Sequence, residues 1–551
     1  MRRSMCVTLR RLLAVAVVVG WGDGAVAYLR LHPGNPHYLQ ETATGEAVMI
    51  TGYGSVVPTA ASYDYITGFR VEQQAYRVMY HRCWHILPWA GQDGIWPWAY
   101  SATGGGYWGG AGGNKVDFNV WNTTYWNRMK DALGQAQGAG HYVEIWLFDR
   151  VGMSPGTNER WGNNPWAANN NINNLEVPNA QPPNDGTPDF YLYATKPNLR
   201  NQQERYVRKM IDETIAYTNV LYEIENEHWD YNDPVWGDHY AQFVKSYIAA
   251  NYPNSPRLVT YNSLQGDLES FYTLPSVDIV NKHYGGEPET PGIINTYIES
   301  RWHHNKAINI DEFANGVTDT NLLRRMCWET ITSGGHFHIE DADLASNPYA
   351  VVENIRSFKT LANWDFISAA PNRGLIVSGG GYCLASPGQE YVCYFPSGGT
   401  KVVSLQAGTY RSEWWNPRTG GFSGVTGFTH GGGSRSFSTP DANDWVLHVT
   451  TRPSLDTILE AKPAGAIAID GLTADWNLAE FTTPIHGGNV GIGDTAVVGF
   501  GGYQNWSCYK GGHWTGGQFP PASAADHAVR GYCRNDSSYL YFLFRMDDTD
   551  L

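Results

Sequence analysis

Residues 220–229 read Val-Leu-Tyr-Glu-Ile-Glu-Asn-Glu-His-Trp, an apolar strand pattern that runs directly into Asn226 and Glu227. Residues 307–313 read Ala-Ile-Asn-Ile-Asp-Glu-Phe, and bring a second apolar run to Glu312 in the same way. Because strand side chains alternate between two faces, Glu223, Glu225 and Glu227 fall on one side if the strand continues that far. Glu227 falls just past the strand end, where its side chain can enter a cleft. Each segment therefore predicts a strand that delivers a carboxylate at its carboxyl end.

Short apolar runs of this kind recur along the chain and alternate with amphipathic helical patterns such as 202–216 and 236–249. The runs lie at 48–50, 77–80, 143–148, 220–224, 258–261, 277–280, 308–310 and 337–339. Eight strands alternating with helices predict the α/β class, a (β/α)8 TIM barrel over residues 28–370. The long excursions 101–113 and 152–188 follow barrel strands, on the face that builds active sites, and are expected to shape a cleft.

The chain divides further on both sides of the barrel. Residues 371–452 show β-alternation with Gly and Pro turns, which predicts a small β-sandwich. Residues 453–465 are expected to form a linker, and 466–551 a third, incomplete unit of β type. Residues 1–27 combine basic residues, a short apolar run and Ala25-Val26-Ala27, which predicts a signal peptide cleaved near Ala27 and a secreted protein. Neither that run nor any later segment is long and apolar enough to cross a membrane.

The amino-acid composition indicates which class of molecule the protein binds. The net charge of -15 argues against nucleic acid as a partner, because its binding is dominated by basic contacts to phosphate. Aromatic residues make up 14% of the chain against 17% for charged residues, so some of the 22 Trp are expected to stack on sugar rings and more than half to fill cores. A polysaccharide or oligosaccharide is the expected partner. The oligomeric state does not follow from the sequence.

Seven cysteines are present, and Cys6 lies in the signal peptide. The remaining even number permits disulfides in an oxidising compartment. Cys383 and Cys393 flank a Ser-Pro-Gly turn, which predicts one bridge; Cys508 and Cys533 form a second plausible pair. Cys83 and Cys327 either pair through the fold or stay free. Cysteine and histidine spacings show no zinc pattern, so no metal and no cofactor are expected.

The paired carboxylates indicate a chemistry. Cleavage of a glycosidic bond with retention needs two carboxyl groups about 5–5.5 Å apart, one as nucleophile and one as acid and then base. Asn-Glu closing one strand and a Glu closing a later one resembles the clan A glycoside hydrolases. The resemblance implies that Glu227, after the fourth strand, is the acid/base and Glu312, after the seventh, the nucleophile. It also implies that Asn226 binds the sugar 2-hydroxyl.

The same resemblance suggests further substrate-binding residues. Arg77 is similar to the clan's second-strand Arg, and His283 and Tyr284 are similar to its sixth-strand His and Tyr, although here the two are adjacent. Trp229 follows Glu227 and is placed with this group. The eighth strand carries His336 and His338 in place of the clan's usual Trp, so either histidine is expected to contact the sugar.

The barrel with a following sandwich resembles a narrower subset of the clan. Residues 414–420, Trp-Trp-Asn-Pro-Arg-Thr-Gly, are similar to a motif of domains called collagen-binding, and residues 121–122, 170–173 and 206–209 to motifs of the apiosidase-type family. The tail is similar to the opening half of family 9-type carbohydrate-binding modules. Because the chain contains no HExxH helix, the collagen label does not imply a zinc protease.

These features predict a secreted retaining glycoside hydrolase that acts on a polysaccharide. The alternative is a non-catalytic glycan-binding or extracellular structural protein built on a glycosidase-like barrel. Such a protein would have no need of the matched pair Glu227 and Glu312. A metallohydrolase, the third class, lacks a ligand set in the sequence. The sugar, the linkage and the endo or exo mode of attack stay open.

Overall fold

The computed structural model describes residues 28–56, 80–83, 94–138, 140–156, 160–181, 183–227, 234–263, 269–283, 292–314, 317–339, 348–452, 462–463, 528–535 and 540–547. The chain divides into two compact units, one of residues 26–452 and one of residues 1–25 with 453–551. Within the described residues, no helix has the length and apolar character of a membrane span.

The first part of the larger unit alternates strands with helices. Its strands are β1 Leu29–Leu31, β2 Leu39–Glu41, β3 Ala47–Val48, β4 Thr51–Tyr53, β5 Ser55–Val56, β6 Tyr80–Cys83, β7 Trp98–Tyr100, β8 Val116–Trp121, β9 Tyr142–Asp149, β10 Val220–Asn226, β11 Val259–Ser263, β12 Ile279–His283, β13 Ala307–Phe313 and β14 His336–Ile339. Its helices are α1 Thr123–Gly138, α2 Thr187–Phe190, α3 Pro197–Thr214, α4 Pro234–Asn251, α5 Glu269–Thr273, α6 Ile293–Arg301, α7 Thr320–Thr332 and α8 Pro348–Leu361.

The barrel strands pair in parallel in the order β4-β14-β13-β12-β11-β10-β9-β6-β5. Since β4 and β5 are separated only by Gly54, they act as one first strand that pairs with β14 on one side and β6 on the other. The eight strands therefore follow each other around a TIM barrel, as the sequence predicts. The observed strands begin and end within a few residues of the predicted ones.

The amino-terminal end of the barrel is filled by apolar side chains. The antiparallel strands β1, β2 and β3 lie there and contribute to one buried cluster with residues at the starts of the barrel strands. The cluster comprises Leu29, Leu39, Val48, Ile50, Tyr142, Leu221, Leu258, Ile279 and Ala307. Because this end of the barrel is closed by hydrophobic packing, an active site is expected at the opposite, carboxyl-terminal end.

A small antiparallel β domain follows the barrel, as predicted. Its strands are β15 Ala370–Pro371, β16 Ile376–Ser378, β17 Tyr382–Ser386, β18 Glu390–Phe395, β19 Thr400–Trp415, β20 Phe422–Ser438 and β21 Trp445–Thr450. They form one continuous hydrogen-bonded sheet, because the long strand β19 pairs with β16 near its start, with β21 at its end and with β20 along its length.

The two faces of this sheet have different partners, in keeping with the two-residue period of strands. One face joins the main core beside α7 and α8, and includes Leu384, Val392 and Val446. The other face forms a second cluster with Tyr391, Phe395 and Leu447 among its members. The β domain is therefore packed against the barrel as part of one unit.

Residues 414–420, the motif that resembles collagen-binding domains, contribute to the packing of the β domain against the barrel. Trp415 is 1% exposed, and its Nε1 donates a hydrogen bond of 2.8 Å to Oδ1 of Asn354 on α8. Arg418 donates to the Asp444 carbonyl oxygen at 2.6 Å and to its carboxylate at 3.1 Å. Both residues thus have structural partners within the unit.

Cys383 and Cys393 lie opposite each other on β17 and β18, as a hairpin bridge would require. However, both are buried free thiols whose Sγ atoms are 2.9 Å apart, well beyond the 2.03–2.05 Å of a disulfide bond. The predicted bridge is therefore not formed in this structure. Cys327 on α7 is also a buried free thiol. Cys508 lies outside the described residues, so its pairing with Cys533 stays a prediction.

The smaller unit is of β type where it is described. It contains β22 Lys462–Pro463, β23 Ala528–Asn535 and β24 Leu540–Asp547, with β23 antiparallel to β24. The first of these strands falls in the segment predicted as a linker and pairs in parallel with β23.

A buried histidine in the β domain lies between two carboxylates. His448 on β21 is fully buried, with Nε2 at 2.7 Å from Glu390 Oε1 and Nδ1 at 2.9 Å from Glu413 Oε1. Arg452 approaches Glu390 at 3.7 Å, and Arg411 pairs with Glu413 at 2.5 Å. Burial would lower the pKa of His448, but the two carboxylates outweigh burial and raise the pKa above 6.5. Each ring nitrogen faces a carboxylate oxygen, a pair of contacts that favours the imidazolium because only that form donates from both nitrogens.

This arrangement predicts that stability declines at alkaline pH. A raised pKa in the folded state contributes stability in full below pH 6.5, and the contribution is lost as the pH rises through the raised value. We expect the melting temperature of the wild type to fall above pH 6.5 and its advantage over His448→Gln to shrink in the same range, measured by calorimetry of the full chain.

The half-buried His430 on β20, whose Nε2 lies 3.0 Å from the carbonyl oxygen of Gly433, provides the control. The variant His430→Gln is expected to follow the wild-type profile throughout. A loss of about 1 kcal/mol shifts the melting temperature of a domain of 150–250 residues by roughly 2–4 °C, and by less in the larger unit of residues 26–452, so the melting temperatures are measured in replicate. A gap between wild type and His448→Gln that stays constant from pH 6 to 9 would contradict the charged state of His448.

Candidate functional site

Beyond the apolar cluster at its amino-terminal end, the interior of the barrel is lined by polar side chains. Asn281 on β12 donates from Nδ2 to Glu144 Oε1 at 2.6 Å and to Glu223 Oε2 at 2.5 Å. Asn309 on β13 donates from Nδ2 to Asn281 Oδ1 at 3.1 Å. All four side chains are buried to 1% exposure or less. Hydrogen bonds between side chains of different strands thus hold together the polar interior beneath the candidate site.

The next layer is held around Asp311. Its Oδ2 accepts a hydrogen bond of 2.7 Å from Asn262 Nδ2, and its Oδ1 lies 3.3 Å from His338 Nδ1. His338 is fully buried, and its Nε2 lies 2.9 Å from the carbonyl oxygen of Gly54. The structure therefore assigns His338 to the barrel interior and does not support the predicted sugar contact.

Glu227, His283 and Glu312 come together at the carboxyl-terminal mouth of the barrel. His283 Nε2 lies 2.6 Å from Glu312 Oε2 and 3.5 Å from Glu227 Oε1. One ligand atom from each residue lies within 4.8 Å of the others, so the two carboxylates are close neighbours. The Glu312 side chain is 8% exposed and that of Glu227 20%, so Glu227 is the more accessible carboxylate.

The backbone aims both glutamates into this mouth. Glu227 has a φ of 54° and Glu312 a φ of 50°, in the left-handed region that non-glycine residues seldom adopt. The pairing of β13 with β14 also shifts register between Ile310 and Phe313. Such an irregularity turns a side chain away from strict alternation, which lets Asp311 and Glu312 both face the site. Strain of this kind clusters at functional sites.

Asn226 ends β10 immediately before Glu227. It is 4% exposed, and its Nδ2 donates to Asp149 Oδ1 at 3.3 Å. Asp149 ends the neighbouring strand β9, in register with Asn226. The structure thus places the predicted Asn226 beside Glu227 and adds a carboxylate that contacts it.

The other predicted site residues have different outcomes. Arg77, Trp229 and Tyr284 lie outside the described residues, so their roles stay predictions. His336 begins β14 near the closed end of the barrel, where Nδ1 accepts from the Ile50 amide at 2.8 Å and Nε2 donates to the His37 carbonyl at 2.8 Å. With both nitrogens bound to the main chain and the ring fully buried, His336 is a structural residue and not a sugar contact.

Two groups of side chains have the composition of a metal site among the described residues. One is the site trio itself, which offers two carboxylates and an imidazole. The other is Glu269, His303 and His304, near the starts of the barrel strands. Its Glu269 already contacts His304 and is approached by Arg301 at 4.0 Å, so this group has the partners of an ion-pair cluster.

The sequence interpretation assigned no site role to two carboxylates near the mouth, Asp149 and Glu225. Asp149 directly follows the third predicted strand, 143–148, so the rule that found Glu227 would also have indicated Asp149. Glu225 accepts a hydrogen bond from the hydroxyl of Tyr191, which lies just after α2 in the region of the second excursion. No sequence pattern links Tyr191 to Glu225, because the contact joins two distant segments.

Comparison with solved structures defines the class of fold. A family 5 glycoside hydrolase from Bacteroides vulgatus ATCC 8482 matches with a TM-score of 0.52 and 12% identity, covering 77% of this chain and 93% of that one. Another structure, named glycoside hydrolase, matches with a TM-score of 0.52 and 13% identity, covering 79% and 98%. The chain therefore shares its fold with these two glycoside hydrolase structures.

Sequence comparison adds one domain. Residues 371–450 match the family described as "Putative collagen-binding domain of a collagenase". This range lies within residues 371–452, the predicted extent of the β domain. Comparison with curated protein sequences gives no significant match. The resemblances to the apiosidase-type family and to a carbohydrate-binding module stay predictions.

Proposed function

We propose that this protein is a retaining glycoside hydrolase that cleaves O-glycosidic bonds by double displacement. The observation that supports the proposal is the approach of Glu227 and Glu312, whose carboxylate oxygens lie within 4.8 Å at the open end of the barrel. Retaining enzymes hold their carboxyl groups about 5–5.5 Å apart, whereas inverting enzymes separate them by about 6.5–9.5 Å to admit water. The short separation therefore favours retention.

The surroundings of each carboxylate suggest its role. Glu312 is the more buried and is held by His283, which suits a nucleophile that must point at one anomeric carbon. Its attack breaks the glycosidic C–O bond, and the proton of Glu227 passes to the leaving oxygen. Glu227 then takes a proton from water, and the resulting hydroxide displaces Glu312 from the sugar.

The substrate class and the location belong to the same proposal. The fold of its neighbours and the aromatic composition favour a carbohydrate, and we assign a polysaccharide or oligosaccharide as substrate. The basic and apolar character of residues 1–27 supports export from the cell.

A substrate screen tests the proposal directly. Purified protein is incubated with a panel of plant and microbial polysaccharides, and the released sugars are separated and counted. For the best substrate, proton NMR during the first minutes reads the anomeric configuration of the product. Retention is expected; an inverted product would exclude double displacement. Binding to a polysaccharide without release of sugar would favour the non-catalytic alternative.

Glu227→Ala is expected to lose activity in a manner that depends on the leaving group. General acid catalysis contributes about 10²–10⁴-fold, so turnover of natural glycosides should fall by that factor. The leaving group of a 2,4-dinitrophenyl glycoside needs no protonation, so the first step does not depend on Glu227. The second step, attack on the glycosyl-enzyme intermediate, should recover when azide replaces water as the nucleophile. The check is the rate with and without azide, together with isolation of the glycosyl azide of retained configuration. Absence of rescue would argue against Glu227 as the acid/base.

A further inference from the structure

Asp149, a further carboxylate, lies at the mouth of the barrel beside Asn226 and the proposed acid/base. Asp149 Oδ1 accepts from Asn226 Nδ2 at 3.3 Å and from the Val151 amide at 3.2 Å, and Oδ2 accepts from the Gly152 amide at 3.2 Å. The main chain reinforces the contact, because the Arg150 amide donates to the Asn226 carbonyl oxygen at 3.0 Å. Asp149 is thus fixed by its own turn and faces the amide of Asn226.

An ionised carboxylate accepts hydrogen bonds and donates none. Only the nitrogen end of the Asn226 amide can therefore face Asp149, and the oxygen end is fixed on the other side of the amide plane. An uncharged amide in place of Asp149 could pair with either end of Asn226 and would leave the orientation undetermined. Asp149 therefore fixes which end of the Asn226 amide faces it, and the neighbouring residues on β10 do not.

We propose that Asp149 is a positioning residue that sets the amide orientation of Asn226, so that Asn226 presents a hydrogen-bond acceptor to a sugar hydroxyl next to the scissile bond. This role rests on the proposed glycosidase function. Asp149 acts through Asn226 and does not itself take part in proton transfer or nucleophilic attack. Its effect should be largest on substrates that carry the hydroxyl.

The protonation of Asp149 adds a dependence on pH. Burial raises the pKa of Asp149 to about 6, against the lowering effect of Asn226 and the amides of Gly152 and Val151, and with a further rise from the nearby Glu225. Below pH 6 the carboxyl group is protonated and can donate, so it no longer requires the nitrogen end of Asn226. The orientation should therefore be fixed above pH 6 and relaxed below it.

The test is a double-mutant cycle with Asp149→Asn and Asn226→Ala. The substrates are a panel of 2,4-dinitrophenyl β-glycosides (glucoside, mannoside, xyloside, galactoside), and the one that the wild type turns over fastest is compared with its 2-deoxy counterpart. A hydrogen bond to a charged group is worth about 1.5–3 kcal/mol, so Asp149→Asn should lower kcat/KM by about 10- to 100-fold. In the Asn226→Ala background the same change should cost less than about 3-fold.

Two further readings separate positioning from a general structural effect. The preference for the 2-hydroxy over the 2-deoxy substrate should fall in Asp149→Asn, and the acid limb of kcat/KM near pH 6 should disappear. Asp117→Asn is the matched control, because Asp117 also accepts from an amide two residues on, Asn119, and from an Asn side chain, Asn173. That variant should retain the wild-type preference and pH profile.

The outcomes distinguish this inference from the proposed function. A wild-type enzyme that turns over substrate, combined with equal losses from Asp149→Asn in both backgrounds and an unchanged hydroxyl preference, would overturn the role of Asp149 and leave the glycosidase assignment intact. A wild type without turnover on any glycoside or polysaccharide would overturn the proposed function and the role of Asp149 with it.

Discussion

Replacing Glu312 by glutamine is expected to lower kcat by at least about 10⁴-fold while the protein stays folded. Glutamine has the size of glutamate and can still contact His283, which lies 2.6 Å from Glu312 in the wild type. It lacks the negative charge that attacks the anomeric carbon, so the covalent intermediate cannot form. Initial rates on the best substrate and the far-ultraviolet circular dichroism spectrum check the two halves of this result.

Glu329 offers a matched control for Glu312. Taken as whole residues, backbone included, both glutamates are 6% exposed, but Glu329 lies on α7 and accepts hydrogen bonds from the amides of Gly292 and Asn295. Glu329→Gln should change stability and leave kcat within a few fold of the wild type. A mechanism-based label, a 2-deoxy-2-fluoro glycosyl fluoride, should appear on the peptide that carries Glu312. If Glu312→Gln kept a tenth of the wild-type rate, Glu312 would not be the nucleophile.

Replacing Asp444 by alanine is expected to destabilise the larger unit by about 3–5 kcal/mol. Asp444, in the β domain, accepts from Arg324 on α7 through Nε at 2.8 Å and Nη2 at 3.1 Å, and also from Tyr394 at 3.0 Å. The side chains of Arg324 and Asp444 are only 6% and 2% exposed, so removing the carboxylate leaves a buried positive charge without its counterion. Equilibrium denaturation of the full chain in urea measures the loss.

The partners of Asp444 predict an order among variants. Burial works against ionised Asp444, yet Arg324, Tyr394 and Arg418 together hold its pKa below the usual value. Arg324→Met should therefore cost less than Asp444→Ala, because Tyr394 and Arg418 still satisfy the carboxylate. The control is Glu46→Ala, whose side chain is 67% exposed in its pair with Lys359 and should cost about 0–1 kcal/mol. Equal effects of Asp444→Ala and Glu46→Ala would show that the buried pair does not hold the β domain to the barrel.

Much of the site followed from local pattern. Glu227 and Glu312 each close an apolar run, and a parallel barrel brings all strand ends to one face, so their meeting could be predicted without knowing a distance. Asn226 and His283 could be placed by the same reasoning. The predictions for His336 and His338 went wrong because strand position alone does not say whether a ring reaches the cleft or is bound by the main chain inside the barrel.

The sequence by itself determined the class of fold and indicated the two carboxylates, since these depend on periodicity and on the residues that end each strand. Only the tertiary structure decided the separation of Glu227 from Glu312 and the contact of Asp149 with Asn226. It alone also decided the burial of His448 between two carboxylates and the buried ion pair of Arg324 with Asp444. Each of these joins side chains from different strands or helices. Such contacts are set by register, bulges and packing, which local patterns of hydrophobicity do not specify.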